Sequence, residues 1–139
     1  MQTEQIDPKR SALMSRIRAK DTGPEMIVRR IAHGMGYRFR LYRRDLPGRP
    51  DLVFPRFRAI LFVHGCFWHQ HAGCRAGVSV PKTRREFWVP KLAGNVARDA
   101  RSLAALEELG WRVGVIWECE TKRPEFVRDT LSDLLRTTH

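Results

Sequence analysis

Two apolar runs, Asp51-Leu52-Val53-Phe54 and Arg58-Ala59-Ile60-Leu61-Phe62-Val63, are separated only by Pro55-Arg56-Phe57, and this arrangement predicts a hairpin of two strands. Upstream, Tyr37 to Tyr42 alternates Arg38 and Arg40 with Phe39 and Leu41, as a half-buried strand does, before the turn-rich Leu46-Pro47-Gly48-Arg49-Pro50. Thr22-Gly23-Pro24-Glu25 has capping-box spacing and opens a helix that carries Ile27, Ile31 and Met35 on one face until Gly36 ends it. Ahead of that helix, Asp7 and Pro8 can start a shorter one, rich in Lys9, Arg10, Arg16 and Arg18. Its apolar positions Ala12, Leu13, Met14 and Ile17 are few, so two readings stand: an arm that orders on a partner, or a helix docked on the core.

Beyond the hairpin, Thr83-Arg84-Arg85-Glu86 repeats the capping pattern and starts a helix bearing Phe87 and Trp88, with Pro90 expected as a bend or break. A longer helix follows from about Gly94 to Glu108, with Ala100, Leu103, Ala104 and Leu106 turned to the sheet. Trp111 to Trp117 predicts a further strand, and Pro124 to Arg136 a closing amphipathic helix with Val127, Leu131, Leu134 and Leu135 inward. The chain is thus expected to hold a basic helical arm over residues 1–20 and a single domain over 21–139, a size that suits one core. The longest apolar stretches, such as Ala59 to Val63, fall far short of the roughly 20 residues needed to span a bilayer, and no signal-like amino-terminal run is present. A cytoplasmic protein without membrane partners is expected.

Charge narrows the partner. Lys and Arg number 26 against 15 Asp and Glu, a formal net charge of +11. Such an excess attracts polyanions by releasing their condensed counterions, so nucleic acid is the leading partner, against the plainer reading of a merely basic protein.

The chemistry concentrates between Phe62 and Cys74, where thirteen positions hold three of the five histidines and two of the three cysteines. Cys66, His71 and Cys74 are spaced Cys-x4-His-x2-Cys, and the remaining Cys119 completes a Cys3His set of the kind that holds a structural Zn2+. An odd thiol count in a reducing compartment also favours metal over disulfides. Asp51 follows a turn and opens an apolar strand, a place where a carboxylate needs a cation. For a basic protein acting on phosphodiesters that cation is Mg2+, with a turn-forming or salt-bridged role as the alternative. His64 follows the second strand and His69 lies between cysteine and histidine ligands. With an unperturbed pKa of about 6.5, an imidazole fixed there can act as a base, or His69 can compete with His71 as a spare zinc ligand. Phe67 and Trp68 either form a small core beneath the metal or point outward as a wedge between DNA base steps, with Trp88 as a third ring.

Several motifs together resemble the very short patch repair endonuclease family. They are Leu46-Pro47-Gly48-Arg49-Pro50-Asp51, His64-Gly65-Cys66-Phe67-Trp68-His69, Glu86-Phe87-Trp88, Lys91, Asn95-Val96-x-Arg98-Asp99, and Leu109-Gly110-Trp111-Arg112-Val113 through Trp117-Glu118-Cys119. The resemblance runs from about Asp21 to Cys119 and implies a restriction-endonuclease-like α/β fold, with a mixed central sheet flanked by helices and a structural zinc. It further implies a monomeric, nucleoid-associated bacterial enzyme that uses Mg2+ to nick double-stranded DNA 5' to the thymine of a T:G mismatch arising from 5-methylcytosine deamination, with repair proteins acting downstream. By that resemblance Asp51 and the Val63 main-chain carbonyl bind Mg2+, Glu25 holds water beside it, and His69 is the general base oriented by Asp99. His64 contacts the scissile phosphate region; Phe67, Trp68 and Trp88 form the wedge; Met14, Lys91 and Asn95 lie near the mismatched pair.

Three departures qualify the resemblance. Val63 stands where threonine is common, Gln70 and Ala72-Gly73 interrupt a histidine run, and Phe62-Val63-His64 replaces the acidic-x-lysine element that usually follows a Pro-Asp strand in the wider fold. The chemistry is therefore expected to lean on histidine. A restriction-type double-strand nuclease and a non-catalytic, zinc-stabilised DNA-binding module are the rival readings.

Overall fold

The computed structural model describes residues 22–75 and 80–136. The expected basic arm, with Met14, lies outside the described residues. Thr22 caps the first helix, α1 (Gly23–Gly34), by accepting the Glu25 N–H at 3.3 Å, as its spacing predicts. At the other end, the N–H of Tyr37 reaches Ala32 O and that of Gly36 reaches His33 O, the Schellman pattern that the left-handed Gly36 (φ +92°) permits. The buried line of α1 is Val28 and Ala32, so the inward face is rotated slightly from the expected Ile27–Ile31–Met35 stripe; Ile31 and Met35 pack at its margin.

Strands β1 (Leu52–Phe54) and β2 (Ala59–His64) form the expected hairpin, in antiparallel register with Leu52 opposite Leu61 and Phe54 opposite Ala59. Pro55–Phe57 makes one 3-10 turn, and Arg58 in the left-handed region completes the reversal. Strand β3 (Arg112–Trp117) pairs parallel to β2, His64 opposite Trp117, giving a three-stranded mixed sheet in the order β1-β2-β3. Helix α2 (Arg85–Glu108) supplies the crossover from β2 to β3, and α3 (Pro124–Leu134) closes the described chain.

Strand periodicity sorts the side chains into two cores. Leu52, Phe54, Ala59, Leu61, Val63 and Ile116 face α1 and α3. Val53, Ile60 and Phe62 face the opposite side, with Leu46, Leu106, Val113 and Val115. Because β2 is central and covered on both faces, all six of its residues are buried, and its sequence reads as a continuous apolar run. The same alternation turns His64 to the α2 side, where its ring lies 5.5 Å from that of Phe62.

Four expectations change. Tyr37–Tyr42 contributes only a single bridge, Arg40 to Val53, because Tyr42 adopts φ +59° and turns the chain out of the extended conformation. Its alternation is still used, since Tyr37 and Phe39 pack edge-on against Phe54. Pro90 does not break the helix: it is exposed in the second turn of a continuous α2, where the missing N–H removes one bond near the start. The Thr83 capping box does not form, since Arg84 in the left-handed region precedes the helix without a side-chain cap. On α2 the buried positions are Leu92, Asn95 and Leu106, while Ala100 and Ala104 are exposed.

Leu61 is fully buried in the larger core. Leu61→Ala should lower the unfolding free energy by about 3 kcal/mol in urea titration, whereas Val89→Ala, at a position 42% exposed, should change it by less than about 0.5 kcal/mol. Equal losses would contradict the assigned burial.

Candidate active site and metal centre

The carboxyl ends of β2 and β3 open into a cleft of about 770 Å³ bounded by the start of α1, the Gly48–Asp51 turn and the middle of α2. Two groups of ionisable side chains face each other across it.

The first belongs to the hairpin and α1. Asp51, just before β1, accepts the Val63 N–H at 2.6 Å and stands beside the buried Glu25 of α1. Glu25 in turn is bonded by Arg29 one helical turn on, Nη2 to Oε1 at 3.1 Å. Burial, then the Glu25 carboxyl, pushes the Asp51 carboxyl up to about 8, although the Val63 N–H and Arg29 favour its charged form. Two carboxyls held together at the expense of ionisation are the donor set that a hard divalent cation suits, so Asp51 and Glu25 fit a Mg2+ site.

The second group joins the loop after β2 to α2. His69 Nδ1 lies 2.5 Å from Asp99 Oδ2, and its ring stacks on His64 with centroids 3.9 Å apart and planes 7° from parallel. Burial, then the neighbouring His69, lowers the His64 pKa to about 4, with Asp99 opposing. His64 Nδ1 is buried without a hydrogen-bond partner among the described residues. His64, His69 and Asp99 offer ligand atoms within 4.8 Å of one another. Parallel stacking directs the in-plane nitrogen lone pairs side by side instead of toward one point, so the trio suits proton transfer better than chelation.

Immediately next to this pair, Cys66, His71, Cys74 and Cys119 bring three sulfurs and an imidazole nitrogen within 4.8 Å of one another. His71 Nδ1 is 3.7 Å from Cys66 Sγ and 3.5 Å from Cys119 Sγ. The loop is wound tightly to achieve this, with His69 N on Gly65 O and His71 N on Cys66 O. Gly73 leaves the space the His71 ring occupies, since a Cβ there would lie 3.1 Å from Nε2. Trp117 stacks on the His71 ring at 4.2 Å, and Glu118 accepts the Cys66 N–H at 3.3 Å. Burial, with the crowding of the other thiols, pushes the Cys66 thiol up to about 12. A soft cation that binds thiolates reverses that cost, so the cluster fits a tetrahedral metal.

The aromatic residues form a separate group. Phe67, Trp68 and Trp88 meet at centroid distances of 5.1 to 5.8 Å, are partly exposed, and belong to neither core. Asn95 is buried beneath them, donating to Trp68 O at 3.0 Å and accepting from Arg98. Lys91 stands over the Phe87 ring at 6.0 Å. Sequence reading gave no role to Arg29, and none to Trp117 and Glu118 beyond their place in the quoted motif. Arg29 was signalled by its i,i+4 spacing from Glu25, whereas Trp117 and Glu118 reach the loop only through parallel pairing with β2.

The chain is similar to known proteins over most of its length. The family described as DNA mismatch endonuclease Vsr matches residues 4–75. The chain is 56% identical over 119 residues to the type II nicking enzyme V.XorIIP of Xanthomonas oryzae pv. oryzae, covering 85% of this chain and 86% of that protein. It is 38% identical over 128 residues to V.NmeAIP of Neisseria meningitidis serogroup A, covering 92% and 90%. With the DNA mismatch endonuclease Vsr of Escherichia coli it shares 44% identity over 120 residues, covering 86% and 76%. These likenesses define a DNA endonuclease. The chain belongs to the Vsr family of DNA mismatch endonucleases. No helix among the described residues is long and apolar enough to cross a membrane.

The raised Asp51 carboxyl gives stability an unusual pH dependence. The unfolded chain releases this proton near about pH 4, while the fold holds it to about 8. The contribution is therefore fully present below the lower value and lost as pH rises through the upper one. Without Mg2+, the melting temperature should fall across that window, and Asp51→Asn should flatten the fall. An unchanged profile in the variant would contradict the desolvated carboxyl pair.

Proposed function

We propose that this enzyme nicks one strand of duplex DNA 5' to the thymine of a T:G mismatch, using Mg2+ for the hydrolysis and Zn2+ to hold the catalytic loop. The observation that carries the reading is the His69–Asp99 pair facing the Asp51–Glu25 carboxyl pair in one cleft. Asp51 and the Val63 carbonyl would hold Mg2+, which when bound offsets charge on the scissile phosphate.

The protein's own groups handle the proton. With Nδ1–H donated to Asp99, the His69 Nε2 lone pair is left to take a proton from the attacking water, and Asp99 stabilises the imidazolium that results. His64, held at a pKa of about 4, stays neutral near pH 7. It therefore does not compete for the proton, and its ring lies beside the phosphate site. Glu25 orders water next to Asp51. The products are a 3'-hydroxyl and a 5'-phosphate on one strand.

Phe67, Trp68 and Trp88 act as the wedge. Trp68 lines the cleft of this basic protein, with Phe67 and Trp88 packed against it and all three rings partly exposed, so that stacking on them can offset the cost of a few kcal/mol per step that insertion between base steps incurs. Met14, Lys91 and Asn95 lie near the mispaired bases, Asn95 by setting the main chain of Trp68. The net charge of +11 supplies the sequence-independent affinity. The α/β core is of restriction-endonuclease type, the active species is a monomer in the bacterial cytoplasm associated with the nucleoid, and repair proteins take over the nick.

In Mg2+, the enzyme should nick a T:G duplex in one strand and leave the C:G duplex intact. Asp51→Ala and His69→Ala should each lower the rate by at least about 100-fold while duplex affinity is retained. Equal cutting of both duplexes would identify a restriction-type nuclease, and binding without turnover in the parent enzyme a non-catalytic module.

A further inference from the structure

We infer that Arg49 is a phosphate-binding residue of the cleft, gripping the DNA backbone beside the scissile position. The inference rests on the reading of the cleft as the DNA-cleavage site. Arg49 lines the same cleft as Asp51, Glu25 and the histidine pair. A phosphodiester entering there approaches the carboxylates of Glu25, Asp51, Asp99 and Glu118, so the cleft needs cations besides any metal. Among the described residues, only two lysine or arginine side chains line it, Arg49 and Arg98. Arg98 is committed to Asn95, Nη1 to Oδ1 at 3.1 Å, whereas Arg49 makes no ion pair or side-chain hydrogen bond among the described residues.

The backbone aims this side chain. Arg49 has φ +52°, a left-handed conformation uncommon for a residue with a Cβ, directly before Pro50, which disfavours compact conformations at the preceding residue. Its neighbours impose it. Gly48 (φ +79°) is pressed so closely onto α2 that a Cβ would lie 2.7 Å from Ser102 Cβ and 3.2 Å from Phe62 Cζ. Pro50 is buried on the other side. Arg49 is thus an exposed cation between two clamped residues, three positions before the buried strand β1. A strained position at a cleft, kept by a residue other than glycine, points to a task for the side chain. A guanidinium is the side chain that grips phosphate through paired hydrogen bonds.

Glycine separates the task from the strain, because Arg49→Gly relieves the backbone while deleting the charge. Duplex affinity of Arg49→Gly, Arg49→Lys and the parent enzyme should be measured against salt concentration in Ca2+, with KM and kcat taken in Mg2+. Arg49→Gly should bind about tenfold more weakly and flatten the slope of log affinity against log salt by about 0.9. Its KM should rise accordingly, kcat should change by less than about twofold, and its melting temperature should be unchanged or higher. Arg49→Lys should keep most of the slope while losing part of the affinity. An unchanged slope and KM in Arg49→Gly, with or without a lower melting temperature, would overturn the proposal. If the parent enzyme binds duplex but nicks no T:G substrate, the cleavage reading fails, while the salt slope still decides whether Arg49 meets a phosphate.

Discussion

Three thiols and an imidazole converging within 4.8 Å are the constraint on which the rest of this site depends. Cys66, His71 and Cys74 come from the loop after β2, and Cys119 from the end of β3, so the cluster ties the edges of two parallel strands at the point where they leave the sheet. A loop of this length has no apolar core of its own, and the thiols resist ionising where they stand, with Cys66 pushed up to about 12. A bound metal would turn that crowding into an attraction. What the loop carries is placed by it: His69 is set against Asp99, and Trp68 lines the cleft with Phe67 and Trp88 packed against it.

The second constraint is β2. Buried on both faces, it can take no other register without exposing its side chains, and its alternation decides where chemistry sits. Val63 offers its N–H to Asp51 at the β1 edge, and His64 turns toward α2 and stacks on His69. One strand end thereby separates the Asp51–Glu25 carboxyl pair from the His64–His69 pair. The electrostatics follow the division, with Asp51 raised to about 8 and His64 lowered to about 4, both chiefly by burial. Two titratable groups displaced in opposite senses within one cleft are a common mark of hydrolytic sites.

Much of this was legible in the residues. The hairpin, the third strand of the sheet and the closing helix follow from runs of β-branched and apolar residues, and the convergence of the three cysteines with His71 follows from cysteine arithmetic. Local rules failed where tertiary contacts outweighed them. Pro90 reads as a break, yet near a helix start its missing N–H costs little. Tyr37–Tyr42 reads as a strand, yet β1 offers only three residues to pair with, and Tyr42 turns away. The packing of His71 on Trp117 and the bond from Cys66 to Glu118 were not legible, because they arise from parallel pairing between segments about fifty residues apart in sequence. Asn95 could not be read locally either: a polar residue on an amphipathic helix looks exposed, and only the seat beneath Trp68 explains its burial.

If a metal held by the Cys3His cluster is what aims His69, then catalysis should depend on zinc as much as on Mg2+, although zinc there would touch no substrate. The most direct measurement is the single-turnover nicking rate as Zn2+ is returned to zinc-free protein at constant Mg2+, with folding followed in parallel by circular dichroism. The rate should climb with zinc occupancy and level off at a single equivalent. Zinc-free protein that stays folded and nicks at the full rate would contradict the account.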